Sequence, residues 1–401
     1  MGLASLIGLV KTVVFAKVLG VEDLGLYGLA VLVTQFGVHI GNWGILSALN
    51  NQLPLALGRG EERVPTLIGR AIGAIVLALT LTGALYVAVI LALPGSNATH
   101  VALAVAVALV VATTLFEFAL MLLRVERRLM PLAAMYLVRS ALALVLGSAA
   151  GLIWGFGGVI AVEVALLLAI ALASRRRWLR TVHVLKPRLE ETKWLVSRGA
   201  PVMLANLIVV GSALVDRVFV AAVLPDEFGQ YIFATIVVTA WLALSGILAQ
   251  ALAPRYLFEH GTGVPLTTIR AKSLRVMAIA VVGGILGLPI LLVAAAALRS
   301  GAYSEYRAGI DVMPILYLGG LLSLLAFPSF LLAALRPSLA TAAAAAGAAV
   351  GIGGGVVVSS PDPSLSGFAW VFVASQAAVL VVVLLSVQLL VRQSRGGQIG
   401  H

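Results

Sequence analysis

The chain has 401 residues, of which 61% are hydrophobic and only 11% charged, with a formal net charge of +11 and a mean hydropathy of +1.10. A soluble globular domain carries about 45–50% apolar and about 25% charged residues, so this balance excludes one and points to a polytopic membrane protein. With no cysteine, disulfide frameworks and thiolate metal sites are excluded as well.

A helix needs about 20 apolar residues to cross about 30 Å of hydrocarbon. In chain order the candidate spans are residues 3–19, 26–48, 66–93, 100–123, 131–153, 156–173, 199–224, 230–253, 273–298, 311–335, 338–359 and 367–391. That is twelve helices, six in each half. Lipid offers no partner to backbone N–H and C=O groups, and the long unbroken apolar runs do not alternate as barrel strands would. The first run holds Lys11 at its centre and lacks a small-residue cleavage site, so it reads as a retained helix rather than a signal peptide.

The first two spans meet at a segment that recurs. Residues 14–30, VFAKVLGVEDLGLYGLA, align without a gap on residues 218–234, VFVAAVLPDEFGQYIFA, at a constant offset of 204. Val14, Phe15, Gly25, Tyr27 and Ala30 match Val218, Phe219, Gly229, Tyr231 and Ala234, and Glu22 and Asp23 face Asp226 and Glu227. The unit reads as a helix, a tight acidic turn closed by Gly, and a second helix opened by Tyr. Six spans separate the copies, so they enter from the same side and predict a parallel repeat. The resulting division is an N-lobe at 1–173, a basic linker at 174–198 and a C-lobe at 199–401.

Helix 2 carries Gln35, His39 and Asn42 at i, i+4 and i+7, on one face of an otherwise apolar or small surface. Such a stripe either lines a cavity or bonds two helices together. Its counterparts Thr239, Ala243 and Gly246 are much less polar. The connections on one side hold most of the 27 basic residues, among them Arg59, Arg63, Arg127, Arg128 and the run from Arg175 to Arg198, whereas the other side holds Lys17, Arg299 and Arg307. This asymmetry places both termini in the cytoplasm. It also gives the net charge an origin other than nucleic-acid binding, which is set aside.

Lys11, Arg139 and Arg217 remain inside predicted helices. A mid-bilayer charge costs about 2.5–3.5 kcal/mol even on the permissive insertion scale, so it either snorkels, pairs internally or faces a wet cavity. Asp216 adjoins Arg217 but points away from it on a helix. Glu117 and Glu163 lie on neighbouring spans and offer Arg139 a partner. Gly347, Gly351 and Gly355 predict close helix packing, and Pro289, Pro314 and Pro328 are expected kinks. No nucleotide-binding GxxxxGK[ST] or zinc-protease HExxH segment occurs, so no cofactor is expected. The acid pair Glu22 and Asp23 would suit a metal-dependent membrane glycosyltransferase, but its recurrence at Asp226 and Glu227 favours a structural turn.

KVLGVEDLGLYGLA and the later RGAPVMLANLIVVGSALVDRVFVAAVLPDEFGQYIFA resemble the signature segments of Wzx-like oligosaccharide flippases, in the multidrug/oligosaccharidyl-lipid/polysaccharide (MOP) flippase superfamily. The likeness falls on Lys17, Leu19, Gly20, Gly25 and Tyr27, then on Gly199, Pro201, Asp216, Arg217, Gly229 and Tyr231. Lys17 departs from the Arg usual at its position and supplies a point charge rather than a bidentate fork. Helix 1 lacks the lead-in that helix 7 has, which predicts either a native start upstream of Met1 or a shallow entry into the membrane.

The resemblance implies an all-α membrane protein of two six-helix lobes around a cavity. Its substrate would be a polyprenyl pyrophosphate-linked oligosaccharide moved outward across the cell membrane by alternating access. Lys11 and Arg217, with Arg139 as a weaker candidate, would hold the diphosphate, and Gln35, His39 and Asn42 the sugar. Asp216, Glu117 and Glu163 are candidates for ion coupling. The implied partners are the lipid-linked oligosaccharide, membrane lipids, and polysaccharide polymerase and export machinery. A cation-coupled drug exporter of the same superfamily and the membrane glycosyltransferase remain the alternatives.

Overall fold

The computed structural model describes residues 2–58, 64–92, 97–125, 129–178, 186, 188–261, 264–301, 303–360 and 362–395. Met1, Arg59, Arg63, Arg127, Arg128 and Arg180 lie outside them. Thirteen helices follow in order: α1 Gly2–Gly41, α2 Ile45–Gly58, α3 Val64–Ala92, α4 Asn97–Val125, α5 Leu129–Trp178, α6 Leu189–Val223, α7 Phe228–Ala234, α8 Ile236–Gly261, α9 Leu266–Ser300, α10 Arg307–Leu325, α11 Ser329–Leu335, α12 Pro337–Val358 and α13 Leu365–Arg395. Among the described residues nine helices are long and apolar enough to cross a membrane. Two of these, α1 and α5, are pairs of helices joined at non-helical residues, Gly20 and Trp154–Gly155. Eleven of the predicted spans fall on a helix, a helical arm or a helix pair, whereas the span expected at 26–48 ends at Gly41, with a turn at Asn42–Gly44 and a separate helix α2 beyond it.

The breaks differ from those expected. The chain leaves helical geometry at Gly20 (φ 71°) in the first repeat and at the equivalent Leu224 (φ −127°, ψ 58°) in the second. Glu22 and Asp23 thus belong to the first turn of a helix rather than to the turn itself, where acidic side chains meet the positive end of the helix dipole. Pro289 and Pro314 lie inside α9 and α10, which run through them, while Pro328 sits in the break before α11.

The chain divides into two compact units. The first spans Val18–Val210; the second combines Ala4–Lys17 with Gly211–His401. The expected lobes at 1–173 and 199–401 assign Ala4–Lys17 and residues 199–210 the other way round. In the first unit, Ile45, Leu49 and Leu53 of α2 pack with Ile75 and Leu79 of α3, Phe118 and Met121 of α4, and Leu195 of α6. Leu109, Phe116 and Leu120 of α4 pack with Leu132 and Leu167 of α5. An ion pair between Arg70 and Glu191 joins the beginnings of α3 and α6.

In the second unit the glycines of α12 act as the sequence predicts. A Cβ at Gly347 would meet Val379 and the Ser375 carbonyl, one at Gly351 would meet Val215, and one at Gly355 would meet the Phe219 ring. Ser375 donates from Oγ to the carbonyls of Ser212 (3.1 Å) and Gly347 (2.8 Å), and Gln376 donates to Ser212 at 3.1 Å. The arm Ala4–Lys17 is held by two hydroxyls: Tyr306 donates to the Ala16 carbonyl at 2.7 Å and Tyr303 to that of Val13 at 3.3 Å. Both bonds fall on backbone carbonyls of the arm that precedes the break at Gly20.

Candidate functional site

The second arm of α1 ends in a backbone reversal that shapes the site. Asn42, Trp43 and Gly44 form a turn in which Trp43 (φ 51°) and Gly44 (φ 79°) adopt left-handed geometry. Gly44 meets that need at no steric cost. It also meets Gly199 of α6 backbone to backbone, for a Cβ on Gly199 would overlap the Gly44 carbonyl. Trp43 donates from its indole to Thr82 Oγ1 at 3.0 Å, and Asn42 Oδ1 accepts the Leu46 N–H at 3.3 Å as a cap on α2. The chain then runs on as α2 with a new register.

These elements line an open cavity of about 440 Å3 in the first unit. From the α1 side it is lined by Thr34, Gln35, Val38, His39 and Asn42, and from α2 by Leu46, Ser47 and Asn50. Thr113, Glu117 and Met121 of α4 and Asn206 and Val210 of α6 complete it. The i, i+4 spacing along α4 and α6 puts each set on one helix face. The predicted stripe Gln35, His39 and Asn42 therefore lines a cavity. Asn42 is less available than its position suggests, because its Nδ2 also donates to the Val38 carbonyl at 2.5 Å, and Thr34 turns its hydroxyl onto the Ala30 carbonyl at 2.7 Å. Gln35 and Asn50 are exposed and His39 is half-buried.

None of the three intramembrane cations lines this cavity. Arg139 sits with its guanidinium 5.2 Å from the Phe116 ring centroid in the first unit. Lys11 belongs to the second unit, its Nζ 5.3 Å from the centroid of Phe15, a cation–π arrangement like that of Arg139. Arg217, also of the second unit, is 8% exposed, and its Nε and Nη2 are buried with no hydrogen-bond partner among the described residues. A buried guanidinium with unused donors is costly for a fold to keep.

The three candidate acids separate in the same way. Glu117 lines the cavity. Glu163, 4% exposed, accepts the Tyr27 hydroxyl at 3.0 Å, and Asp216, fully buried, accepts that of Tyr231 at 2.7 Å while its Oδ1 has no partner among the described residues. The acidic turn is tied into the fold as well: Asp23 Oδ2 accepts the Phe156 N–H at 3.0 Å, capping the second arm of α5 just past the break at Trp154–Gly155. No group of three or more metal-binding side chains occurs among the described residues.

Ser47, Asn50, Thr113 and Asn206 are lining residues that the linear pattern did not disclose. Ser47 and Asn50 depend on the reversal at Gly44, whose only trace in the sequence is a Trp-Gly pair inside an apolar run. Asn206 stands alone on α6, seven residues after Gly199, and the packing of α6 on the first unit, at Leu195, Glu191 and the Gly44–Gly199 contact, brings it to the site.

Comparisons with known proteins bear on this arrangement. The family described as polysaccharide biosynthesis protein matches residues 1–258. No curated protein matches the sequence. Among solved structures, an inward-facing multidrug resistance MATE family transporter of the MOP superfamily superimposes with a TM-score of 0.74 at 15% identity, over 98% of this chain and 96% of that one. The lipid II flippase MurJ in an inward closed conformation gives 0.72 at 13% identity, over 96% and 86%. A MOP superfamily transporter from Pyrococcus furiosus gives 0.60 at 12% identity, over 98% and 93%. At such identities the likeness establishes the fold, which is the two-lobed helical membrane fold that the internal repeat predicts.

Proposed function

We propose that this chain, which belongs to the polysaccharide biosynthesis protein family, is a flippase for a polyprenyl pyrophosphate-linked oligosaccharide. It works by alternating access in the cytoplasmic membrane, with both termini in the cytoplasm, and it carries the lipid-linked glycan from the inner to the outer leaflet. The observation that carries this reading is the cavity of about 440 Å3 in the first unit, lined by amides and hydroxyls within a chain that is 61% hydrophobic. A sugar requires such donors and acceptors, and polar groups at membrane depth are retained where they serve a pathway. MurJ, a lipid II flippase, shares the fold.

The diphosphate needs cations. Arg217 offers two unused buried donors and Lys11 an ammonium, both in the second unit, and charge-assisted bonds to phosphate are the strong ones. Glu117, which lines the cavity, is the first candidate for the coupling ion, with Glu163 and Asp216 as the others. The lobes are residues 1–173 and 199–401, with 174–198 as a basic linker on anionic headgroups. Polymerase and export machinery receive the product.

One observation favours a second reading, a cation-coupled drug exporter: among the described residues the cavity lining holds a carboxylate and no Lys or Arg. Proteoliposomes decide between them. With a fluorescent polyprenyl pyrophosphate oligosaccharide the native protein flips its substrate, and Arg217→Ala and Lys11→Ala abolish flipping at matched insertion and folding. Saturable binding of cationic dyes with no flipping would replace the flippase by the exporter.

A further inference from the structure

We infer that the cavity of the first unit is a subsite for uncharged, amide-bearing sugars and that it discriminates against sugars carrying a carboxylate. This rests on the flippase reading above and names the class of glycan that it moves.

The argument begins with which lining groups are free to bind. Asn42 and Thr34 spend their polar atoms on the backbone. Gln35, Ser47, Asn50, Thr113 and Asn206 remain, each able to donate and to accept. Sugar hydroxyls and acetamido groups also do both, so the two sets match group for group. A carboxylate only accepts, and it brings a charge into a site surrounded by hydrocarbon, where an uncompensated charge is disfavoured. Neutralising it would take a Lys or Arg, and none is among the lining residues. The lining instead contributes Glu117, an acid.

His39 is the one lining side chain able to become positive, and an imidazole is largely neutral at about pH 8. Lys11 and Arg217 cannot supply the discrimination. They serve the diphosphate, which every substrate of this class carries, so they treat all glycans alike. Selection among glycans therefore falls to the cavity, whose lining holds an acid and no Lys or Arg among the described residues.

The test uses the full chain in proteoliposomes at about pH 8. Two fluorescent polyprenyl pyrophosphate disaccharides differ only in the terminal sugar, an N-acetylhexosamine in one and a hexuronic acid in the other. The native protein is expected to flip the neutral substrate on the order of tenfold faster, equivalent to about 1.4 kcal/mol. Gln35→Lys places a cation on an exposed lining position and is expected to raise flipping of the acidic substrate severalfold, closing the gap. Equal native rates overturn the selectivity and leave the flippase reading standing. Native discrimination that Gln35→Lys does not change overturns its assignment to this cavity. Absence of flipping with either substrate removes the flippase reading, and this inference with it.

Discussion

Tyr27 and Tyr231 occupy the same place in the two halves, and each donates its hydroxyl to a buried carboxylate, but the acid is Glu163 of α5 in one half and Asp216 of α6 in the other. The repeat has kept the need for an anchor at the start of the second helix and lost the identity of its partner. The helices that follow diverge further. In the first unit the chain runs unbroken from the acidic turn to Gly41, reverses at Gly44 and opens a polar cavity. In the second it breaks at Thr235, and α8 continues through the positions equivalent to that reversal. The polar cavity belongs to the first unit, whereas Lys11 and the buried Arg217 belong to the second. Under the flippase reading proposed above, the two copies of the scaffold serve different ends of the substrate.

Substitutions can break or sharpen this contrast, and the largest effect is expected where the first unit depends on backbone contact. Gly199→Ala forces a Cβ onto the Gly44 carbonyl, which cannot yield as a flexible side chain would. Thermal unfolding in detergent should show a loss of about 3 kcal/mol. Stability unchanged from the native protein would mean that the reversal is not held by α6.

Removing the anchoring hydroxyls comes next. Tyr231→Phe leaves fully buried Asp216 without its one hydrogen-bonded oxygen and should cost about 2–3 kcal/mol, whereas Tyr27→Phe should cost about 1–2 kcal/mol, as a hydrogen bond to a charged group does. Equal losses, or a greater loss at Tyr27, would contradict the unequal burial of the two hydrogen bonds, that of Tyr231 being fully buried and that of Tyr27 partly so. Asp23→Ala removes the cap on the second arm of α5 and should cost about 1 kcal/mol in the same measurement; no loss would return the acid pair to consideration as a functional site. Smallest of all is Gly211→Ala. That glycine stands twelve residues after Gly199 in α6, and a Cβ there meets nothing within 4 Å. Its effect should stay within about 0.5 kcal/mol, so a large loss would show that the sensitivity belongs to glycines of α6 in general.

Much of the fold was legible because lipid enforces simple rules. Long apolar runs marked the helices, and the repeat from Val14 to Ala30 and from Val218 to Ala234 announced two lobes. The face shared by Gln35, His39 and Asn42 pointed to the cavity, and Gly347, Gly351 and Gly355 to close packing. What the linear pattern did not show are events of backbone geometry and long-range contact. The break at Gly20 and Leu224 precedes the acids that seemed to mark it, because the acids are stabilised at a helix start rather than in a turn. Ser47 and Asn50 turn toward the cavity only after the reversal at Gly44, and Asn206 through the long-range packing of α6 at Leu195, Glu191 and Gly199. The pairing of Tyr27 with Glu163 spans 136 residues; a tyrosine shared by both repeats and the few carboxylates within the spans, Glu117, Glu163 and Asp216, were the clues to it.

Photo-crosslinking tests the division of labour most directly. A polyprenyl pyrophosphate oligosaccharide carrying a diazirine on its glycan is activated in proteoliposomes holding the native chain, and the labelled peptides are identified by mass spectrometry. The account predicts label on peptides containing Gln35 to Asn50, Thr113 to Met121 and Asn206. Label confined to residues 211–401 would contradict it.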